Sequence, residues 1–193
     1  MPFPKNRKIN FLIAGAQKSG TSALWEYLRE HPEICLPEKK EIHFFDNDKF
    51  FSKKKIDYTH YHSFFKVEKQ HKMIGETTPI YMYWMDAPKR IWQYNPEMKM
   101  IIILRNPIDR AYSHWNMQRD RGLETLSFSQ AIQKETERAR KSLPCQQRLF
   151  SYTDRGFYSE QIRRMRIFFE KKYILIFRSE DLKINPEQTL ETI

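Results

Sequence analysis

Short apolar runs alternate along the chain with longer stretches in which apolar residues recur every three or four positions. Asn10-Phe11-Leu12-Ile13-Ala14 is a compact β-rich run, and Gly15 directly after it opens a turn into a helical pattern over 21–30. Leu24, Trp25 and Leu28 share one face of that helix, and His31-Pro32 stops it. Met73-Ile74-Gly75-Glu76 predicts a second strand, followed by a helix over 87–94 that ends at Asn95-Pro96. Met100-Ile101-Ile102-Ile103-Leu104 is apolar without interruption, as in a parallel strand covered on both faces, and Arg105 ends it. Helical spacing resumes over 108–119, 128–140 and 159–169. Tyr173-Ile174-Leu175-Ile176-Phe177 reads as a last strand, and Pro186 opens a last helix from a favoured first-turn position. Strands alternating with helices predict an α/β fold in three layers, a parallel sheet with flanking helices and a ligand crevice at the carboxyl ends of its strands.

With 193 residues and no linker or repeat, the chain is expected to form one domain, 1–193. Its 40% hydrophobic and 15% aromatic content suits a packed core. A net charge of +10 makes the surface attractive to anions without choosing among phosphorylated small molecules, acidic acceptors, nucleic acid and membrane. No run of about 18 apolar residues suggests a membrane span. Met1 to Asn10 lacks the apolar stretch of a secretory leader, so the expectation is a cytoplasmic protein with no membrane partner. Cys35 and Cys145 stand far apart and outside any Cys/His cluster, which predicts two reduced structural thiols and no metal site.

The chemistry concentrates in the first turn, Gly15-Ala16-Gln17-Lys18-Ser19-Gly20-Thr21-Ser22. Small residues there let backbone N–H groups converge at a helix N-terminus, a site for phosphate or sulfate. The nucleoside triphosphate pattern G-x-x-x-x-G-K-[ST] needs lysine directly after its second glycine. Thr21 holds that position, Lys18 precedes the glycine, and Arg105 stands where a magnesium-associated Asp is common. Triphosphate-plus-magnesium chemistry is therefore disfavoured, whereas a sulfuryl group, carrying less charge, can be stabilised by lysine and backbone donors alone.

These residues resemble the sulfotransferases, especially the heparan sulfate-type and related bacterial branch. Ala16 to Ser22 resembles the 5′-phosphosulfate motif, and Leu104-Arg105-Asn106-Pro107 with Arg110 and Ser113 resembles the 3′-phosphate motif. Glu41-Ile42-His43-Phe44-Phe45-Asp46 is similar to the segment whose Glu serves as general base with a nearby His assisting. Glu76-Thr77-Thr78-Pro79-Ile80-Tyr81 resembles a second acceptor-side segment, with Thr77 where those enzymes usually carry Lys. Gly156-Phe157-Tyr158-Ser159-Glu160-Gln161 and Phe177-Arg178-Ser179-Glu180-Asp181-Leu182 complete the pattern. Family members usually continue into a basic, Gly-bearing loop over the 3′-phosphate and adenine. The chain is accordingly read as one sulfotransferase domain without that C-terminal segment, either a fragment or a short form that binds its nucleotide weakly.

The resemblance implies a P-loop NTPase-like sulfotransferase fold and transfer of a sulfuryl group from 3′-phosphoadenosine 5′-phosphosulfate (PAPS) to a hydroxyl or amine of a small-molecule or carbohydrate acceptor. It leaves adenosine 3′,5′-bisphosphate (PAP). By the same likeness Lys18, Glu41 and His43 are catalytic, while Gln17, Lys18, Ser19, Gly20, Thr21, Ser22, Arg105, Ser113 and Tyr158 bind the nucleotide. Bland readings stand beside these: Arg105 as a salt-bridge partner of Asp109, Ser113 as a helix-surface serine, Tyr158 as core, and Phe44, Phe45, Tyr58, Tyr61, Tyr81, Tyr83 and Trp84 as core rather than acceptor cleft. The rival functions are a P-loop kinase, a catalytically silent nucleotide-binding module, and a nucleic-acid binder using Arg138 to Lys141 and Arg163 to Arg166. No recognised nucleic-acid motif accompanies those basic stretches, so no nucleic-acid partner is expected.

Overall fold

The computed structural model describes residues 3–193. Its strands are β1 (Phe11–Gly15), β2 (Ile34–Cys35), β3 (Met73–Thr77), β4 (Lys99–Leu104) and β5 (Ile174–Arg178). Its helices are α1 (Thr21–Arg29), α2 (Thr59–His62), α3 (Ala87–Tyr94), α4 (Pro107–Asp120), α5 (Phe128–Ser142), α6 (Tyr158–Arg166), α7 (Ser179–Ile184) and α8 (Pro186–Glu191). The five strands form one sheet in the order β2-β3-β1-β4-β5, and every neighbouring pair is parallel.

Alternation along the strands sends side chains to two faces, and each face has its own core. Leu12, Ala14, Ile74, Met100 and Ile102 pack with Ile91 and Tyr94 of α3, Met165 of α6 and the aromatic residues Phe44, Phe45 and Tyr61. Phe11, Ile13, Ile101 and Ile103 pack on the other side with Leu24, Trp25 and Leu28 of α1 and Leu182 of α7. The three-layer α/β expectation therefore holds. A third, smaller cluster joins Ala111 and Trp115 of α4 to Ala131 of α5 and to Tyr152.

Helix starts follow local chemistry. Asn106 caps α4 by accepting from the amides of Ile108 (2.9 Å) and Asp109 (3.4 Å), with Pro107 in the first turn. Ser127 and Gln130 form a capping box at the start of α5.

Several elements depart from the sequence reading, the short helices α2 and α7 among them. The two-residue β2 is too short to show periodicity and exists through its pairing with Met73 and Ile74. The polar, aromatic stretch over 50–65 has little regular structure, yet it closes one core: Phe44 stacks on Phe50 at 4.9 Å and on Tyr61 at 4.8 Å between ring centroids. The helix expected over 159–169 ends at Arg166, after which the backbone turns so that Phe169 is buried and Ile167 is exposed. Of the two free thiols Cys35 is buried and Cys145 exposed, so Cys145 is not the core residue the sequence suggested.

Gly75 illustrates how tightly the central strands are packed. It lies opposite Phe11, and a Cβ built on it would sit 2.4 Å from the Phe11 ring, which is itself buried. Gly75→Ala is expected to lower stability by about 1–3 kcal/mol through overpacking, measured as a lower urea midpoint.

Candidate active site

The chain leaves β1 through α1 towards β2 and later crosses from β3 to β4 on the opposite side of β1, so the strand order reverses between β1 and β4. A ligand crevice belongs at the carboxyl ends of that pair. There the structure has a cleft of about 800 Å³. Gln17, Lys18, Gly20, Thr21 and Ser22 line it from the first turn, Arg105 and Ser113 from the end of β4 and from α4, and Glu41 and His43 from the loop after β2.

The loop after β1 is held in an unusual backbone. Gly20 has φ 100° and Lys18 φ 71°, both left-handed, and for a lysine this is a strained state of the kind found at functional sites. Arg105 turns into the loop, and its Nη1 donates to the carbonyl of Lys18 at 3.2 Å. That contact replaces the pairing with Asp109 that the sequence left open. Burial lowers the pKa of the Lys18 ammonium, and the nearby charges of Arg121 and Arg105 lower it further. Two assigned residues lie outside the cleft lining. The Tyr158 hydroxyl donates to the carbonyl of Arg105 at 2.9 Å, which fixes the end of β4. Ser19 is buried and faces a smaller neighbouring pocket beside Ser179 and Leu182.

Across the cleft, His43 sits between two carboxylates. Its Nδ1 donates to Asp46 Oδ2 at 2.9 Å and its Nε2 lies 3.3 Å from Glu41 Oε2. Burial by itself would lower the imidazole pKa, but the hydrogen bond to Asp46 and the charges of Asp46 and Glu41 outweigh it and raise it. Burial likewise opposes ionisation of Asp46, and its contacts with His43 and Arg148 reverse the balance, holding its pKa low. Behind this loop Glu76 is fully buried at the end of β3, accepting from the hydroxyls of Thr78 (2.6 Å), Tyr81 (2.8 Å) and Tyr61 (3.2 Å). Burial pushes its carboxyl up to about 7 against the opposing effect of these donors.

Sequence reading missed several cleft residues. Lys40 reaches across to donate to Ser22 Oγ at 2.6 Å. Arg148 donates to the Asp46 carboxylate and, at 2.7 Å, to the Asp46 carbonyl, and it lies over Trp84. Arg155 is buried, donating to Gln17 Oε1, to Ser151 Oγ at 2.8 Å and to the Arg148 carbonyl at 2.6 Å. Arg121 and Gln118 complete the wall. Arg148 lies in a stretch without regular structure or motif. Arg155 could have been flagged, because it directly precedes the Gly156-Phe157-Tyr158 segment already singled out. Of the candidate acceptor aromatics, Phe44, Phe45, Tyr61, Tyr81, Tyr83 and Trp84 are all buried, which supports the core reading, and Tyr58 is partly buried.

The arrangement can grip an elongated anion between Lys18 and Arg105 and present a carboxylate, Glu41, to a nucleophile arriving opposite. Comparison with known proteins identifies the family. The sulfotransferase domain family model matches residues 8–193. The human bifunctional heparan sulfate N-deacetylase/N-sulfotransferase 3 is 30% identical over 198 residues, covering 97% of this chain, while the chain spans 22% of that relative's own length. The crystal structure of a sulfotransferase from Alicyclobacillus acidocaldarius superposes with a TM-score of 0.84 at 31% identity, over 96% of this chain and 79% of that one. Mouse sulfotransferase SULT7A1, solved complexed with PAP, shares the fold at 19% identity with a TM-score of 0.58, over 96% of this chain and 57% of that one. A match that begins before the first strand and runs through the last helix, on the geometry already described, establishes that this chain belongs to the sulfotransferase family.

Proposed function

We propose that the chain transfers a sulfuryl group from PAPS to a hydroxyl or amine of a small-molecule or carbohydrate acceptor. The carrying observation is that Lys18 and Arg105, from the turns after two adjacent strands, and Ser113 of α4 line the same cleft as Glu41 and His43. The residues present suit this donor. Gly20 keeps the loop open at the N-terminus of α1, and the guanidinium of Arg105 with the hydroxyl of Ser113 suits a 3′-phosphate.

In this reading Glu41 takes the proton of the acceptor O–H or N–H as that atom attacks sulfur. The bond from sulfur to the bridging oxygen breaks, its electron pair stays on the 5′-phosphate of departing PAP, and Lys18 neutralises the charge that develops there. His43, held between Asp46 and Glu41, keeps the carboxylate in place and is the alternate proton acceptor once its own proton is lost. The heparan sulfate relative suggests an amine on a sugar as one acceptor. Thr77, where such enzymes carry Lys, is buried and does not line the cleft, so the acceptor side of this chain is built differently at that position.

The rival readings have less support. Thr21 lines the cleft where a triphosphate-binding loop needs lysine. The basic stretches proposed for nucleic acid are engaged locally: Arg138 with Glu124, Lys141 with Glu137, Arg163 with Glu160, and Arg164 with the carbonyls of Met82 and Tyr83.

Lys18→Ala is expected to reduce transfer of labelled sulfate from PAPS by at least about 10²-fold while circular dichroism stays unchanged. Turnover at the wild-type level would remove Lys18 from the mechanism. PAP at roughly 100-fold its Kd should raise the Tm by about 5–10 °C, and AMP and ATP at the same concentration should raise it less. Arg105→Ala should erase that preference for PAP over AMP, and equal shifts by all three nucleotides in the unmodified protein would overturn the 3′-phosphate assignment.

A further inference from the structure

The loop that presents Glu41 and His43 has no regular secondary structure, and one of its residues is strained. His43 has φ 57°, a left-handed state that a non-glycine residue keeps only where its surroundings over-determine it. The surroundings can be read off directly. The next two residues, Phe44 and Phe45, are fully buried, and both of their amides donate to one atom, the phenol oxygen of Tyr81, at 3.0 and 3.4 Å. Tyr81 in turn donates its own proton to Glu76 Oε1 at 2.8 Å. With its proton committed to a carboxylate, the phenol oxygen has its lone pairs free to accept the two amides, and a donor chain of this kind strengthens each bond in it.

We propose that Tyr81, oriented by Glu76, is a positioning residue for sulfuryl transfer: its oxygen holds the amides of Phe44 and Phe45 and so fixes Glu41 and His43 in the cleft. The inference rests on the proposed roles of Glu41 and His43. It adds two residues that touch neither donor nor acceptor, since Tyr81 and Glu76 are both buried and lie outside the cleft lining. The loop has other anchors, but they act on other groups. Arg90 donates to the Phe45 carbonyl at 3.0 Å, and Arg148 donates to the Asp46 carbonyl at 2.7 Å. The two amides that directly follow the strained residue, those of Phe44 and Phe45, are held by Tyr81.

The decisive variant is Tyr81→Phe, which keeps the ring and its edge-on contact with Phe45 (5.5 Å between centroids) and removes only the hydroxyl. Three readouts apply. PAP affinity by calorimetry should be unchanged, because the hydrogen bonds of the Tyr81 hydroxyl run to the Phe44 and Phe45 amides and to Glu76 and to no residue of the loop after β1. The His43 titration, followed by NMR and assigned with His43→Ala, should move down towards the ordinary value of about 6.5 as the ring loses its fixed place between Asp46 and Glu41. The kcat for labelled sulfate transfer to de-N-sulfated heparin or another acceptor found active should fall by up to about 10²-fold with KM for PAPS unchanged. Glu76→Gln, whose carbonyl can still accept from Tyr81, should retain the wild-type His43 titration, and Glu76→Met should reproduce Tyr81→Phe. An unmoved His43 titration in Tyr81→Phe overturns the proposal. Should that variant fail to fold, hydrogen exchange in the wild type decides instead: protected Phe44 and Phe45 amides support it, and amides exchanging at the unprotected rate overturn it. Titration and exchange need no turnover, so a wild-type protein that transfers no sulfate would sink the functional reading and leave this one still decidable.

Discussion

A hydrogen bond from Arg105 to the carbonyl of Lys18 joins the turns that follow β1 and β4 at the floor of the cleft. It is available because β1 and β4 are parallel neighbours, which places the turns that follow them side by side, about 5 Å apart between strands. Lys18 alone would be a cation on a strained loop, and Arg105 alone would be a charged strand end. Tied together at the point where the strand order reverses, they offer two positive groups facing one cavity. Tyr158 extends the tie by bonding the carbonyl of Arg105, so the start of α6 braces the end of β4.

Charge in and behind this cavity is unevenly compensated. Among the described residues, Arg155 and Arg110 are buried without a carboxylate partner within 4.0 Å. The nitrogens of Arg155 are taken up by neutral acceptors, and burial pushes its pKa down to about 10. Arg110 donates to the carbonyl of Tyr152 and has two nitrogens without partners. Buried cations left without counter-charge are unfavourable, and the field they create in a low-dielectric cleft favours an anion. His114, enclosed by the same groups, is driven down to about 2, first by burial and then by the charges of Arg155 and Arg110, and so stays neutral. Within this positive surround the carboxylates of Glu41 and Asp46 are arranged around His43, and Glu41 shares the cleft with Lys18 and Arg105.

β1, β3, β4, β5 and the longer helices on both faces were legible in the sequence, as was the cationic character of the turns after β1 and β4. β1 and β4 are short uninterrupted apolar runs, α1 carries its apolar residues on one face, and the identities of Gly20, Lys18 and Arg105 constrain what a turn at a strand end can bind. The short β2, the break after Arg166 and the cleft roles of Arg148 and Arg155 were not legible. Each depends on a partner far away in sequence: β2 on β3, Phe169 on the core beside α3, Arg148 on Asp46, and Arg155 on Gln17. The side chains of Ser19 and Tyr158 were not placed by the sequence for the same reason: Ser19 lines a neighbouring pocket with Lys18, Gly20 and Arg105, and Tyr158 bonds the Arg105 carbonyl.

By itself, then, the sequence determined the class of fold and the chemistry of the first turn and the central strand end, because periodicity and turn residues act over a few neighbouring positions. Only the tertiary structure decided which loops share a cleft, which arginines are buried without carboxylates, and how a left-handed His43 is held. Those depend on contacts between segments tens of residues apart, such as Tyr81 beneath Phe44, and local pattern carries no record of them.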